Sequence, residues 1–198
     1  MTIILKQQEI RKCVSISEES IDIIERGFSI LSKGGAVMPP IMRLDVEDHN
    51  GEIDVKTAYI KGLDSFAIKI SPGFFDNPKI GLPTTSGMLV LLNSNTGIIE
   101  AVLLDEGYLT DVRTAVAGAI ASKHLAKKSV SNVGIIGAGA QARLQLEALM
   151  LVKRPKELRI WARNENRANA YISEINKKYN FKTFISKNAQ EDVENSEI

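Results

Sequence analysis

The sequence of 198 residues contains one cysteine, two histidines and few aromatic residues. With one cysteine no internal disulfide can form. We expect Cys13 to be a small buried apolar residue, and nothing in the sequence supports a reactive role for its thiol. His49 and His124 lie far apart in the chain without a second cysteine, so the sequence predicts no zinc site and no other metal site.

Neither charge is in excess, since the net charge is +1 from 25 basic and 24 acidic residues. This balance lacks the basic footprint that nucleic-acid binding requires. The sequence also lacks a long hydrophobic run: its longest weakly charged stretch, residues 80–104, contains Pro83, Gly87 and Glu100. The apolar run near the N-terminus stops at Lys6, which makes it too short for a signal peptide. We therefore expect a cytoplasmic protein with neither a nucleic acid nor a membrane as its partner.

Residues 1–113 are predicted to form an α+β domain. A helix is expected over residues 17–33, with Ser17 as its cap and Gly34 after its end. The segment that follows is strand-like, and its turn signals separate strands predicted at residues 53–60, 65–70, 88–92 and 98–104.

Residues 114–198 show a different pattern, in which helices and strands alternate. An alanine-rich helix is predicted at 110–126, with one buried face that runs from Val112 to Leu125. After it we predict strands at 130–136, 158–162 and 183–185, and helices at 141–152, at 165–178 and near Asp192. This alternation is typical of a parallel α/β sheet of the Rossmann kind. The predicted boundary between the two domains lies after residue 113.

A glycine motif connects the first strand of the second domain to its helix. The sequence VGIIGAGAQARLQLEAL places Gly137, Gly139 and Ala142 in the pattern G-x-G-x-x-A, between an apolar strand and an amphipathic helix. In such a motif the first glycine permits the tight turn, the second lets the backbone approach a pyrophosphate, and the alanine lets the helix pack against the strand. The helix start then offers free amides to the phosphates. The motif predicts a site for a nicotinamide dinucleotide.

The end of the next strand bears on the choice between NAD and NADP. An acidic residue there would bind the adenosine ribose, whereas a nearby arginine suits a 2′-phosphate. This sequence has Ala162 at the acidic position and Arg163 directly after it. The pattern favours NADP over NAD, although a solvated arginine would give the same sequence.

Three cationic residues occupy positions in the pattern where a charge is costly. Lys69 lies inside the apolar strand FAIKI, Arg43 follows the apolar segment MPPIM, and Arg113 lies near the start of the alanine-rich helix. A lysine inside the protein needs an anionic partner. A bound carboxylate of a substrate would supply it.

The chain resembles the ornithine cyclodeaminase/μ-crystallin family. The matching segments are MPPIMRL, FAIKISPGFFDNP, GLPTTSG, LTDVRTAVAGAIASKHLA and VGIIGAGAQARLQLEAL, in the order in which the family has them. The segment from DVKTAYIKG to GLPTTSG, together with RIWARN, resembles most the branch that occurs with ectoine-utilisation genes.

The resemblance implies a substrate domain that forms a homodimer, followed by a Rossmann domain. It implies NAD- or NADP-linked conversion between a small amino acid and its imino or keto acid. Ornithine with cyclisation to proline, alanine, iminosuccinate and cyclic ketimines all stay open as substrates. A ligand-binding protein like μ-crystallin, which holds NADPH without turnover, is the alternative.

The resemblance also assigns roles to individual residues. Arg43, Lys69 and Arg113 would hold the substrate carboxylate, and Lys69 and Asp54 are the candidate catalytic residues. Asp54 falls where ornithine cyclodeaminase has a glutamate near the substrate amine, and its shorter side chain argues against ornithine. On the cofactor side, Thr84 and Arg113 would lie near the dinucleotide, and Ala140 and Gln141 would contact its pyrophosphate through the helix start.

The chain departs from the family pattern at its end. It stops at Ile198, after three predicted strands of a fold that usually has six. The family's catalytic aspartate lies in the second half of the nucleotide domain. We therefore expect this chain to be a fragment without that proton-transfer residue, and a fragment of this kind could fail to fold alone.

Overall fold

The computed structural model describes residues 1–198, which form ten strands and six α-helices. The strands are β1 (Ile3–Lys6), β2 (Ala36–Val37), β3 (Met42–Val46), β4 (Gly51–Ile60), β5 (Ser65–Phe74), β6 (Met88–Asn93), β7 (Ile99–Leu104), β8 (Asn132–Ile136), β9 (Glu157–Trp161) and β10 (Lys182–Ile185). The helices are α1 (Gln7–Cys13), α2 (Glu18–Ser32), α3 (Tyr108–Leu125), α4 (Ala140–Val152), α5 (Glu165–Lys178) and α6 (Ala189–Glu194). Two short 3₁₀ turns lie at Glu47–His49 and Asn77–Ile80.

The chain divides into two compact units. The first contains residues 1–15 and 25–110, and the second contains residues 16–24 and 111–198. The sequence did not indicate that residues 16–24 group with the second unit. The boundary after residue 113 stays a prediction.

The first unit is built on one seven-stranded sheet. Its strands follow the order β1-β7-β6-β5-β4-β2, and β3 pairs with the other half of the β4 edge. All neighbours are antiparallel except β1 and β7, which are parallel. The four strands predicted from alternation are confirmed, whereas β1 and α1 were not predicted.

The register of this sheet separates its side chains into two faces of different chemistry, because residues directly opposite each other share a face. We call one side the polar face. Its rows are Arg43–Asp54–Ser71, Asp45–Glu52–Gly73 and Lys56–Lys69–Leu89. We call the other side the apolar face. Its rows are Met42–Val55–Ile70–Met88, Leu44–Ile53–Pro72 and Thr57–Ile68–Val90–Val102–Ile4.

The second unit has a three-stranded parallel sheet in the order β10-β9-β8. Its core combines the sheet with α4 and α5, and consists of Val133, Leu146, Leu149, Leu158, Ile160, Ala168, Tyr171, Ile175 and Phe181. The predicted α/β alternation is thus confirmed. None of the helices is both long enough and apolar enough to cross a membrane.

Two predictions of burial are wrong. Leu125 is 86% exposed, because α3 ends at that residue and its buried face stops at Ile120. Cys13 is exposed at the end of α1, a helix whose buried residue is Ile10. Ser17 does cap α2, since its hydroxyl accepts a hydrogen bond from the Ser20 amide at 3.2 Å.

Candidate functional site

The glycine loop joins β8 to α4 in the second unit. Gly137 has φ +108°, a conformation that favours glycine, and its amide donates to the carbonyl of Trp161 at 2.7 Å. Gly139 is the N-cap of α4, and a Cβ at this position would meet no atom within 4 Å. Ala142 packs against the core below the loop. Gly137 is therefore needed for the turn, whereas Gly139 leaves open space above the backbone.

The start of α4 is suited to an anion. No side chain caps its N-terminus, and its first turn contains no acidic residue. The five other α-helices each have an aspartate or glutamate in their first turn. Ala140 is exposed, and the Gln141 side chain donates to the Asp111 carboxylate at 2.9 Å, which leaves its backbone amide as the group for a ligand. Free amides and the positive end of the helix dipole favour a phosphate here.

A cavity of about 470 Å³ lies at the carboxyl ends of β9 and β10. Its lining includes Trp161, Ala162, Arg163, Ser186 and Lys187. Ligands of parallel α/β sheets bind outside this edge of the strands. Arg163 was predicted from the sequence as a cofactor-binding residue, whereas Lys187 was not. The signal was present, since Lys187 follows β10 by two residues, just as Arg163 follows β9.

On the polar face of the first unit, Arg43 and Asp54 are directly opposite each other on β3 and β4. The Arg43 guanidinium contacts Asp45 at 2.9 Å and Glu52 at 2.5 Å, and the hydrogen bond to Asp45 raises its pKa above the ordinary value. Lys56 lies 3.0 Å from the Asp54 carboxylate, and its hydrogen bond keeps the pKa of Asp54 below the usual range. Asp54 is thus an ionised acceptor at neutral pH.

Lys69 lies on the same face and is half-buried. Its ammonium donates to the Thr110 hydroxyl at 3.2 Å. The hydroxyl of Ser71, two positions further along β5, is buried without a hydrogen-bond partner. A buried polar group without a partner is rare and costly, so this part of the face is suited to a polar ligand.

The expectation that all three cations occupy costly positions holds only for Lys69. The Arg43 side chain is 51% exposed, because β3 lies at the edge of the sheet. Arg113 belongs to the second unit and is also exposed. Thr84 is half-buried in the first unit, and its carbonyl accepts from the Phe74 amide at 2.8 Å, which fixes its loop to the end of β5.

Ser71 and Lys56 on the polar face, and Thr110 on α3, were not predicted from the sequence as residues of the site. Ser71 and Lys69 are two residues apart in β5, as are Lys56 and Asp54 in β4, so the period of a strand could have found them. Thr110 offered no such signal, because its contact with Lys69 joins positions 41 residues apart.

Comparison with known proteins gives a match to the ornithine cyclodeaminase/mu-crystallin family over residues 1–198. A protein named as an uncharacterized cyclodeaminase in Sinorhizobium fredii is 53% identical over 196 residues, which are 98% of this chain and 59% of that protein.

Two solved structures are similar in fold. An archaeal alanine dehydrogenase dimer with bound NAD has a TM-score of 0.88 and 31% identity, and the match covers 96% of this chain and 57% of that one. The Δ1-pyrroline-2-carboxylate reductase of Thermococcus litoralis, in complex with NADH and L-proline, has a TM-score of 0.90 and 32% identity, with coverage of 99% and 60%. The chain thus spans a little over half the length of these relatives.

Proposed function

Since the chain belongs to the ornithine cyclodeaminase/mu-crystallin family, we propose that it is part of a nicotinamide-dependent oxidoreductase. The full protein would interconvert a small amino acid and its imino or keto acid. The observation that carries the proposal is the half-buried ammonium of Lys69, which lies on one sheet face with Arg43 and Asp54. The two similar structures support it, because their bound molecules are nicotinamide cofactors and, in one, an amino acid.

The glycine loop fits the diphosphate of the cofactor. The start of α4 has neither a capping side chain nor an acid, and the space above Gly139 is open. A bound nicotinamide cofactor would supply hydride-transfer chemistry at the substrate α-carbon. The family resemblance predicts that Thr84 lies near the nicotinamide and that Arg113 contacts both the cofactor and the substrate carboxylate. Both roles stay predictions.

The residues of the polar face would bind and orient the substrate. Lys69 and Arg43 would hold its carboxylate by charge-assisted hydrogen bonds, which would fix the orientation of the α-carbon on the polar face. Asp54 would accept a hydrogen bond from the amine. The Ser71 hydroxyl, buried without a partner, would donate to the same molecule.

NADP is the cofactor we propose over NAD. Arg163 and Lys187 both line the cavity at the ends of β9 and β10, so two cations are available there for a 2′-phosphate. Ala162 occupies the position at which an acidic residue would bind the ribose of NAD.

A homodimer through the first unit belongs to the same proposal. The apolar face is uncovered at Ile4, Met42 and Leu44, which are 62%, 61% and 57% exposed. A contiguous exposed apolar surface of this kind marks an interface, and a second copy of the same sheet would cover it. A single cysteine leaves the fold without an internal disulfide, which suits the reducing cytoplasm.

Gly139→Trp should abolish dinucleotide binding while the second unit stays folded. The indole would fill the open space in which the diphosphate binds, and φ −89° at this residue is allowed for any side chain. Calorimetric titration with NADPH and NADH measures the effect, and Gly139→Ala is the matched control that should retain binding. An unchanged affinity in the tryptophan variant would remove the loop from the site.

Lys69→Met in the full-length protein should keep cofactor binding and lose turnover. Methionine preserves the apolar stem, whereas the loss of one partner of a desolvated ion pair should lower kcat/KM about 100- to 10,000-fold. The measurement is cofactor absorbance with a panel of 2-oxo acids plus ammonia and cyclic imines. Lys61→Met, an exposed lysine in the turn between β4 and β5, is the control. Near-native turnover in Lys69→Met would rule out the carboxylate site.

Arg163→Ala should narrow the preference for NADP over NAD. A charge-assisted bond from arginine to the 2′-phosphate contributes about 1.5–3 kcal/mol, and NAD has no such phosphate. Affinities of both cofactors are measured for this variant and for Arg154→Ala, an exposed arginine between α4 and β9. A preference for NAD in the unmodified protein would contradict the assignment.

Leu44→Lys should convert the dimer to a monomer, because a lysine ammonium buried in an apolar interface lacks a partner. Sedimentation equilibrium should give twice the chain mass for the unmodified protein and a dissociation constant at least about tenfold higher for the variant. Ile80→Lys is the control, since Ile80 is 72% exposed and lies outside the apolar face. An equal mass for Leu44→Lys and the unmodified dimer would place the interface elsewhere.

A further inference from the structure

Arg143, in the first turn of α4, is hydrogen-bonded to the backbone of the glycine loop. Its Nη1 donates to the carbonyl oxygens of Ala138 at 2.9 Å and Gly139 at 3.0 Å. In a trans peptide the C=O and the N–H point in opposite directions. The amides of Gly139 and Ala140, which share these two peptide planes, therefore point away from the guanidinium.

The guanidinium is itself held in place from α5. Its Nε and Nη2 both contact the Glu174 carboxylate at 2.7 Å. Its central carbon lies 4.9 Å from the centre of the Tyr171 ring. Tyr171 is fully buried, and its hydroxyl donates to the carbonyl of Ala142 at 2.9 Å. Arg143 thus connects the loop to Tyr171 in the buried core of the second unit.

In the absence of a bound anion, a positive charge at the position of Arg143 is unfavourable for the helix. A cation near a helix N-terminus opposes the helix dipole. Glu174 compensates the charge, so the guanidinium contributes mainly its fork of donors in a fixed geometry. This fixed geometry lets the guanidinium donate to the two loop carbonyls.

We propose that Arg143 is a positioning residue that keeps the amides of Gly139 and Ala140 directed toward the diphosphate of the dinucleotide. It acts through the loop carbonyls and does not contact the phosphates. The inference rests on the proposed function, because it assumes that the loop binds a dinucleotide. It assigns the direction of the loop amides to one side chain.

The test compares Arg143→Lys and Arg143→Met in the full-length protein. Affinities are measured for NADPH, for ADP-ribose, which contains the diphosphate, and for adenosine, which has no phosphate. Lysine keeps the charge but cannot donate to two carbonyls and to Glu174 at once. Both variants should bind NADPH and ADP-ribose about 10- to 100-fold more weakly, the equivalent of one or two hydrogen bonds, and adenosine almost unchanged.

Arg154→Met controls for the loss of one positive charge at the other end of α4. Glu174→Gln weakens only the contact that holds the Arg143 guanidinium, so its affinity for ADP-ribose should fall about threefold. Full ADP-ribose affinity in Arg143→Lys would show that charge alone matters and would overturn the proposal. An equal loss for adenosine would also overturn it, because damage would then extend beyond the diphosphate. If the unmodified protein bound no dinucleotide, the proposed function itself would fail. This outcome is distinct from a failure of the Arg143 proposal, which is judged from the variants alone.

Discussion

The two-residue period of β4 and β5 determines both faces of the first unit. It puts Asp54 and Lys69 on the polar face while Ile53 and Ile68 lie on the apolar one. A slip of one residue would exchange the faces, move the charges to the apolar side and remove the proposed carboxylate site. The turn between the strands holds the register: Gly62 has φ +88°, and the Leu63 amide donates to the Ile60 carbonyl at 3.2 Å. The proposed substrate site and the proposed dimer surface therefore depend on one pairing.

Local patterns were sufficient for most of the fold. Apolar alternation predicted the central strands of the first unit, and the alternation of helices and strands predicted the parallel sheet of the second. The glycine motif was found because its residues are adjacent in sequence and each has a local reason, such as the φ of +108° at Gly137. Strand β1 was not predicted from local patterns. Its four residues pair with β7, nearly a hundred positions away, and their apolar run, which stops at Lys6, is too short to show the period of a strand.

The site was predicted less completely than the fold, and for a physical reason. Arg43 and Lys69 were found from their positions in the sequence pattern and Asp54 through the family resemblance, but their contacts follow from the register. Thr110, which contacts Lys69, lies 41 residues away and on a helix. The predicted burial of Leu125 was wrong because this residue ends α3, where periodicity no longer tells which side faces the core. The predicted burial of Cys13 rested on the residue type alone and was wrong because Cys13 is exposed at the end of α1. The link to the ectoine-utilisation branch stays a prediction.

The contact between Asp54 and Lys56 bears on how an amine could bind. The carboxylate that would accept a substrate amine already accepts from a lysine ammonium at 3.0 Å. The Lys56 side chain is 39% exposed, so it can turn out to water without leaving a buried charge. Exposed pairs contribute little stability, and replacing one ammonium by another at the same carboxylate keeps the charge balance. The exchange is therefore close to neutral, and Asp54 stays available to the substrate although it is paired in the free protein.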